Sequence, residues 1–323
     1  MKRKVRIAIA VAAAVCAALF LFFYFMGMLP TWEQVLNYFG ICTHSHMDEE
    51  AVLEVTFLSV GQGDCTLIET AQYAALIDAG LGESYDAIAA ALDARGIREL
   101  DAVIVTHPHT DHMGALRALM GRYSVKQLYF ADIPAEHTPT SAAYERLLDE
   151  IALRNVPLQI LSRGDQLSVP VQAKEEGASL LGILSVLSSG EGSDLNNCSM
   201  VLRLQLGKTA ALFMGDAEAE IERLLIGRRA ELRADVLKVG HHGTRYATTE
   251  EFLAAVQPRY AVVSCGLGNE YGYPKEETVQ RIEAAGAALL RTDTMGDITL
   301  CFDGSSVWIK GENTAVDAAR FTA

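Results

Sequence analysis

The chain has 323 residues, half of them hydrophobic, and its 41 acidic side chains outnumber 27 lysines and arginines to give a net charge of −14. A body this acidic repels nucleic acid unless metal ions or a local basic patch intervene, which excludes a general role in coating nucleic acid. It leaves open an enzyme that acts on a single phosphate group at a metal.

The N-terminus carries four basic residues, and a long apolar run follows over residues 5–28. About 20 apolar residues in a helix suffice to cross a bilayer core, and the basic flank predicts a cytoplasmic N-terminus. A cleaved signal peptide is the alternative, but the run is longer than a usual signal-peptide core and ends in bulky residues. The pattern therefore favours an uncleaved anchor within segment 1–28. This predicts a single-pass protein of the cell membrane with its remaining chain outside the cytoplasm.

Residues 29–50 are predicted to form a linker, because Pro30 and mixed polar residues follow the apolar run. His44, His46 and Asp48 are spaced like half of a metal motif, but no strand precedes them and no further histidine follows. We therefore expect solvated linker side chains there. The six cysteines form no CxxC pair and five lie outside the apolar run, which predicts buried free thiols rather than a disulfide framework.

The pattern changes at Ala51, where VLEVTFLSV, CTLIE and YAALIDAG predict three strands separated by turn residues. A helix is predicted over 85–95, and AVIVT is a wholly apolar strand of the kind that is buried on both faces. The later predicted elements are the strand LYF, a helix over 141–153, the strand LQIL, a loop over 171–179, the strand LLGILSVL, a hairpin of MVLRLQL and AALFMG, a helix from Glu218, the strand DVLKV, a helix over 249–255, the strand YAVVS, a helix over 276–285 and the strand ITLCF. Hairpins followed by β/α units predict one α/β domain over 51–323, with two packed sheets and helices outside.

The strongest chemical signal is the segment VIVTHPHTDHMGAL, which places His107, His109, Asp111 and His112 directly after an apolar strand. In an extended segment, His107 and His109 point the same way and can share one ion. Asp111 and His112 come where the chain turns into a helix, so they can hold a second ion nearby. A polar turn is the alternative, but four potential ligands in six residues are rare by chance. Imidazole and carboxylate together suit zinc, manganese or iron.

Two later segments carry the same chemistry. DVLKVGHHGT places His241 and His242 after another apolar strand, between glycines that permit a sharp turn. ALFMGDAE places Asp216 after a strand, where one carboxylate can bridge two metal ions, although an aspartate before a helix is also a common N-cap. With both histidine clusters present, we predict that Asp216 is a ligand.

These motifs resemble those of a known family. THPHTDH is similar to the metal motif of the metallo-β-lactamase superfamily. SVGQGDCTLIE, LIDAG, NNCSMVLRL, FMGDAE, LKVGHHGT, YGYP and RTD follow in an order that resembles the hydrolase domain of the ComEC type of competence DNA-uptake protein. The resemblance covers residues 52–303. The many transmembrane helices of a DNA channel are not seen in this sequence, so a transport role is not expected to carry over.

The resemblance implies an αββα sandwich with a metal site at one edge of the sheets, holding one or two Zn²⁺ or Mn²⁺ ions. The ligands it implies are His107, His109, Asp111, His112, a bridging Asp216, and one or both of His241 and His242. Asp78 would hydrogen-bond the motif loop without touching metal, and Gln62 and Asp64 would support the site similarly. Lys238 and Thr244 would lie close enough to meet a phosphate.

The sequence departs from the family pattern at two places. Many members have a further metal-binding histidine before the bridging aspartate, but the only histidine there is His137, in a loop that does not suit the role, and residues 196–199 read NNCS. The site of His107 and His109 is therefore expected to be weaker than a second site formed by Asp111, His112, Asp216 and a late histidine. Tyr273 stands where the ComEC type commonly has histidine, so a contact to substrate is expected to differ.

We therefore predict a metal-dependent phosphodiesterase or nuclease outside the membrane, with a phosphodiester substrate for which DNA is one candidate. Asp111 would take up a proton, His241 would stabilise developing charge, and Lys238 would contact the phosphate. The first alternative is a cell-envelope or small-molecule phosphoesterase of the phosphorylcholine type. A non-catalytic binding module is the second, although the nearly complete ligand set argues against it, and the missing histidine disfavours β-lactam hydrolysis.

Overall fold

Two β-sheets form the centre of the fold in this computed structural model, which describes residues 47–172 and 180–311. The predicted anchor, with most of the linker including His44 and His46, lies outside the described residues. The strands, in chain order, are β1 (Leu53–Phe57), β2 (Thr66–Thr70), β3 (Tyr73–Ile77), β4 (Glu99–Leu100), β5 (Ala102–Val105), β6 (Ser124–Val125), β7 (Leu128–Ala131), β8 (Leu158–Leu161), β9 (Gln166–Pro170), β10 (Leu181–Ser188), β11 (Val201–Leu206), β12 (Thr209–Phe213), β13 (Val236–Lys238), β14 (Tyr260–Val263), β15 (Ala288–Arg291), β16 (Ile298–Phe302) and β17 (Val307–Ile309).

The first sheet has the order β17-β16-β1-β2-β3-β5-β7-β8, and the second has the order β15-β14-β13-β12-β11-β10-β9. β4 and β6 pair separately as a short parallel ladder. The inner faces of the two large sheets share one apolar core, in which the rings of Phe57 on β1 and Phe213 on β12 lie 6.2 Å apart. Burial of such apolar surface is the main force that holds the two layers together.

Helices cover the outer faces of both sheets. They are α1 (Tyr85–Ala94), α2 (Thr110–Met113), α3 (Leu116–Met120), α4 (Ala142–Arg154), α5 (Ala219–Gly227), α6 (Glu250–Val256), α7 (Glu276–Ala284) and α8 (Thr292–Met295). Apolar residues of α1, α3 and α4 join a second core against the outer face of the first sheet, and those of α5, α6 and α7 join a third against the other sheet. The predicted αββα layering is confirmed.

No helix within 47–172 and 180–311 is both long and apolar enough to cross a membrane.

Parallel strands bring the chemical motifs to one edge. β12 and β13 pair in parallel, as do β3 and β5, so the loops that follow each pair leave from the same end of their sheet. In the first sheet those loops carry LIDAG and the HxHxDH motif, and in the second they carry GDAE and GHHG. The predicted hairpin of β11 and β12 is confirmed by their antiparallel pairing.

Two buried carboxylates face each other on the first sheet, away from this edge. Glu54 on β1 is paired in register with Glu69 on β2, and both residues are at most 3% exposed. Lys310 Nζ lies 2.9 Å from Glu54 and Arg95 Nε lies 3.4 Å from Glu69. Burial raises the pKa of Glu69 to about 7, because the attraction of Arg95 does not offset the loss of solvation and the neighbouring Glu54 adds repulsion.

Replacing Glu69 by glutamine is expected to stabilise the protein at pH 8 by about 1–3 kcal/mol and to leave its stability near pH 4.5 almost unchanged. Because the pKa is raised in the folded state, the folded protein binds more protons than the unfolded chain between about pH 4.5 and 7. Stability contributed by the protonated form is therefore lost as pH rises through that window. Urea unfolding at both pH values measures the difference, and equal stability of the two proteins at pH 8 would contradict the argument.

Candidate metal centre

The HxHxDH segment turns from the end of β5 into α2. His107 and His109 lie in the extended part, while Asp111 and His112 belong to the first turn of the helix. The backbone carbonyl oxygen of Asp111 accepts a hydrogen bond from Asp64 N at 3.1 Å. A Cβ atom added to Gly63 would lie 2.5 Å from the same oxygen. The GQGD loop therefore packs directly behind the motif, where a larger residue than glycine would not fit.

Four ligand atoms from three distant segments converge at one side of the site. His112 Nε2 lies 3.3 Å from Asp216 Oδ1, and His242 Nε2 lies 3.3 Å from Asp111 Oδ2 and 3.7 Å from Asp216 Oδ1. These residues form one of the groups whose ligand atoms lie within 4.8 Å of one another. The structure therefore brings together the four-residue set that the sequence analysis expected to hold an ion.

A second group shares the same carboxylate. His107 Nε2 lies 2.9 Å from His109 Nδ1 and 3.8 Å from Asp216 Oδ2, and His241 Nε2 lies 3.7 Å from that oxygen. The two oxygens of Asp216 thus face different sets of imidazoles. This is the geometry that lets one carboxylate serve two neighbouring cation positions.

The ligand atoms of this cluster suit a divalent metal ion. His112 Nε2 and Asp216 Oδ1 are both buried and have no hydrogen-bond partner. A buried polar atom without a partner costs free energy, so these two atoms, 3.3 Å apart, suit a cation that both would hold. Imidazole nitrogen and carboxylate oxygen are donors suited to Zn²⁺ and Mn²⁺.

The far nitrogen of each central imidazole is held by the protein. Nδ1 of His112 forms a hydrogen bond with Asp78 Oδ2 at 2.8 Å. Nδ1 of His242 forms one with the carbonyl oxygen of Ser264 at 2.9 Å, and Nδ1 of His241 forms one with Glu218 Oε1 at 2.8 Å. A bond at Nδ1 fixes the ring orientation and turns Nε2 toward the site. The predicted hydrogen bonds from the motif loop to Asp78 are confirmed, since its carboxylate also accepts from the backbone N and hydroxyl of Thr106. That Asp78 does not touch metal stays a prediction, because its carboxylate also forms a possible ligand group with Asp64 and His112.

Ser199 ends the segment NNCS, the region that was noted in the sequence in connection with the further histidine of many family members. Its Oγ accepts a bond from Asp216 N at 3.0 Å and lies 3.1 Å from His107 Nδ1. Ser199 therefore contacts both a candidate ligand, His107, and the backbone of Asp216 without itself offering an imidazole. His137 belongs to none of the ligand groups found among the described residues.

Asp216 is not the N-cap of the following helix. α5 begins at Ala219, its cap residue is Glu218, and the Glu218 side chain bonds His241 instead of capping the helix. The contact between Glu218 and His241 was not predicted from the sequence, because the two residues are 23 positions apart. The feature of the sequence that pointed to it was an acidic residue, Glu218, in the GDAE segment.

Lys238 lies beneath the site, not at its opening. It is 2% exposed, its Nζ lies 2.6 Å from Asp64 Oδ2, and it donates to the carbonyl of Val239 at 3.0 Å. Thr244 is likewise 2% exposed. The phosphate contacts implied for these two side chains remain predictions, and their burial weighs against them.

The carboxylates give the cluster a strongly negative field. Burial disfavours a charged imidazole, but Asp216 and Asp64 outweigh it and raise the pKa of His242 to about 10. The pKa of His112 is raised for the same reason, by Asp216 and Asp78 acting against burial. By contrast, burial and the nearby His112 lower the pKa of His107. A metal ion bound here would displace protons from these imidazoles, because an imidazole ligand binds metal through a deprotonated nitrogen.

The four described cysteines, Cys65, Cys198, Cys265 and Cys301, are buried and free, as predicted.

Comparison with known proteins supports the resemblance seen in the sequence. Residues 58–267 match the metallo-beta-lactamase superfamily. ComE operon protein 3 of Bacillus subtilis (strain 168) is 31% identical over 267 residues, covering 76% of this chain and 32% of that protein. Competence protein ComA of Neisseria gonorrhoeae is 30% identical over 244 residues, covering 75% and 31%. The chain thus spans about a third of the length of these relatives.

Among solved structures, CmlA, a diiron β-hydroxylase from Streptomyces venezuelae, superposes with a TM-score of 0.51 at 14% identity, covering 79% of this chain and 55% of that one. Similarity at this level concerns the fold alone. The superfamily match spans the loops that carry the candidate ligands, and on that ground the chain belongs to the metallo-β-lactamase superfamily.

Proposed function

We propose that this chain is a metal-dependent phosphodiesterase of the nuclease type. The observation that carries the proposal is Asp216, whose two carboxylate oxygens face separate groups of imidazoles. Such paired cation positions are typical of enzymes that cleave phosphate esters, where charge develops on both the attacking and the leaving oxygen. The similarity to two competence proteins favours DNA as the source of the phosphodiester.

Seven residues would hold the metal, with Zn²⁺ and Mn²⁺ as the candidates. They are His107, His109 and His241 on one side, Asp111, His112 and His242 on the other, and Asp216 between them. A divalent ion bound here would lower the pKa of water toward neutrality and polarise a phosphoryl oxygen.

Asp111 and His241 are the members of this set that we expect to meet the substrate. Their side chains are 27% and 21% exposed, whereas those of His112, Asp216 and His242 are at most 2% exposed. Burial favours the neutral form of Asp111, but the hydrogen bond from His242 and the charges of His112 and His242 together lower its pKa to about 2, so the carboxylate is ionised at neutral pH. We propose that this ionised, partly exposed carboxylate takes up a proton during hydrolysis. Glu218 holds Nδ1 of His241, so Nε2 is the nitrogen that would either hold the ion or stabilise charge on a phosphoryl oxygen.

We further propose that the domain acts outside the membrane, tethered through residues 5–28. The basic segment followed by an apolar run supports this orientation.

A second candidate is a cell-envelope or small-molecule phosphoesterase. The net charge of −14 favours it, because an acidic protein attracts polyanions poorly. Burial of Lys238 removes one cation that would otherwise bind a phosphate backbone.

A substrate panel on the full-length chain separates these functions. We expect cleavage of a single-stranded oligonucleotide and of bis-p-nitrophenyl phosphate with Mn²⁺ or Zn²⁺, loss of both activities in EDTA, and no cleavage of nitrocefin. Cleavage of p-nitrophenyl phosphorylcholine alone would select the small-molecule phosphoesterase. Absence of any bound transition metal by elemental analysis would leave a binding module as the better explanation.

A further inference from the structure

Two tyrosines extend the histidine cluster toward solvent. Tyr273 stacks with His242, with ring centres 6.5 Å apart and planes 24° apart, and Tyr271 stacks on Tyr273 at 5.5 Å and 16°. Exposure rises along this series, from 1% at His242 to 52% at Tyr271. We call these two stacked tyrosines, Tyr271 and Tyr273, the tyrosine platform.

The loop that carries the platform is fixed in place. Asn269 brackets Tyr273, accepting from its backbone N at 2.9 Å and donating to its carbonyl at 2.8 Å. Lys275 N donates to the carbonyl of Gly243 at 2.8 Å, and a Cβ on Gly243 would lie 2.6 Å from Pro274 Cβ. The platform is therefore docked closely on the GHHG turn, and a ligand would meet rings that are already positioned.

We propose that the tyrosine platform binds a nucleobase adjacent to the phosphodiester that the metal centre cleaves, so that the substrate is a single-stranded nucleic acid. The proposal rests on the proposed phosphodiesterase function and names its substrate class. A half-exposed tyrosine at the end of a stack contributes little buried area to folding, but it offers a flat π-face to solvent. Unpaired bases stack on such faces, and the contact tolerates any base.

A neighbouring cation distinguishes a base from a choline group. Lys275 Nζ lies 5.4 Å from the centre of the Tyr273 ring and also donates to the carbonyl of Tyr271. A quaternary ammonium bound at the platform would be repelled by this charge, whereas a neutral base would not. Nearly parallel rings can also stack with a planar ligand, whereas an ammonium group is usually enclosed by an aromatic cage.

Stacking would also provide affinity for nucleic acid that does not depend on the net charge of the protein. With a net charge of −14, the protein gains little from general attraction to a polyanion. Affinity for a nucleic acid strand must therefore come from contacts that do not depend on a basic groove. Lys275 beside the rings is placed to meet one flanking phosphate.

Binding can be measured independently of cleavage. We expect the full-length chain to bind a fluorescein-labelled oligothymidylate in an anisotropy titration, and Tyr271→Ala to weaken that binding by at least about fivefold. An abasic strand of the same length provides the matched ligand, since it keeps the phosphates and lacks the bases. Tyr271→Ala should change binding of the abasic strand far less. Tyr246→Ala provides the matched variant, because Tyr246 is 65% exposed and belongs to a neighbouring loop outside the stack.

Each outcome decides the proposal. Equal loss on both strands, no loss on either, or the same loss in the Tyr246 variant would overturn the platform. Competition by phosphorylcholine but not by a nucleotide would overturn it in favour of an ammonium ligand. If binding depends on the bases but no strand is cleaved, the platform proposal stands and the nuclease proposal is wrong. If the chain cleaves DNA and Tyr271→Ala leaves the KM for that cleavage unchanged, the nuclease proposal stands and the platform proposal is wrong.

Discussion

Replacing Asp216 by asparagine is expected to abolish hydrolysis of bis-p-nitrophenyl phosphate while the protein remains folded. Asparagine keeps the size of the side chain but removes the charge that both groups of imidazoles face. Losing even an outer-shell partner of a metal ligand typically costs about 10- to 100-fold, so a carboxylate shared by two positions should cost more than that. Bound metal per chain, measured by elemental analysis, should fall together with kcat/KM.

A matched control lies four residues away. Glu220, in the first turn of α5, binds Ser193 through its side chain and does not belong to the metal groups. Glu220→Gln removes the same charge from the same segment and should leave metal content and activity within about twofold, as is usual for a surface substitution. Full activity in the Asp216 variant, or equal losses in the two variants, would show that Asp216 does not bridge the ions.

Long periodic elements were predictable because their own burial pattern defines them. α4 was expected over 141–153 and is found at Ala142–Arg154, where Ser141 caps its start and Asn155 ends it in the left-handed conformation. The missed strands lack such a pattern, and three of them, β4, β6 and β17, have only two or three residues. β9 contains Pro170, alternates weakly and forms an edge of its sheet, and β15 has only four residues directly after α7.

The candidate site was predictable where its residues are contiguous. HxHxDH was recognisable because four donors follow one strand, and GHHG because it follows another. Contacts that span the fold had no comparable signal: Glu218 orients His241, and Ser199 bonds the backbone of Asp216. Such partners are found only when the sheets bring their loops to one edge.

The structure also distinguishes the two late histidines, which the sequence could not do. His242 faces Asp216 Oδ1 together with Asp111, whereas His241 faces Asp216 Oδ2. Both adopt the left-handed backbone conformation, with φ of 52° and 44°, which turns the adjacent side chains toward opposite sides of the carboxylate. This backbone conformation is unfavourable for most residues other than glycine, so its presence at two adjacent histidines indicates that the surrounding contacts impose it.

Replacing Lys238 by methionine is expected to destabilise the protein by about 3–5 kcal/mol, because it removes the cation 2.6 Å from the buried carboxylate of Asp64 and leaves only His242 to offset that charge. Asp64 is 3% exposed, and although burial opposes its ionisation, Lys238 and then His242 hold its pKa well below the usual range. In the variant that pKa should rise above its unfolded value. The penalty should therefore be largest near pH 7 and shrink as Asp64 becomes protonated near pH 4. Urea unfolding at the two pH values measures both effects.

Two further variants distinguish this structural role from a contact with the substrate. The double variant Lys238→Met with Asp64→Asn should regain much of the lost stability, since neither charge is then left alone. Lys126→Met is the matched lysine control: its ammonium also bridges carboxylates, but the side chain is 53% exposed, so the change should cost less than about 1 kcal/mol. If Lys238→Met instead lowered kcat at unchanged unfolding free energy, the lysine would act on the phosphate, as the sequence first indicated.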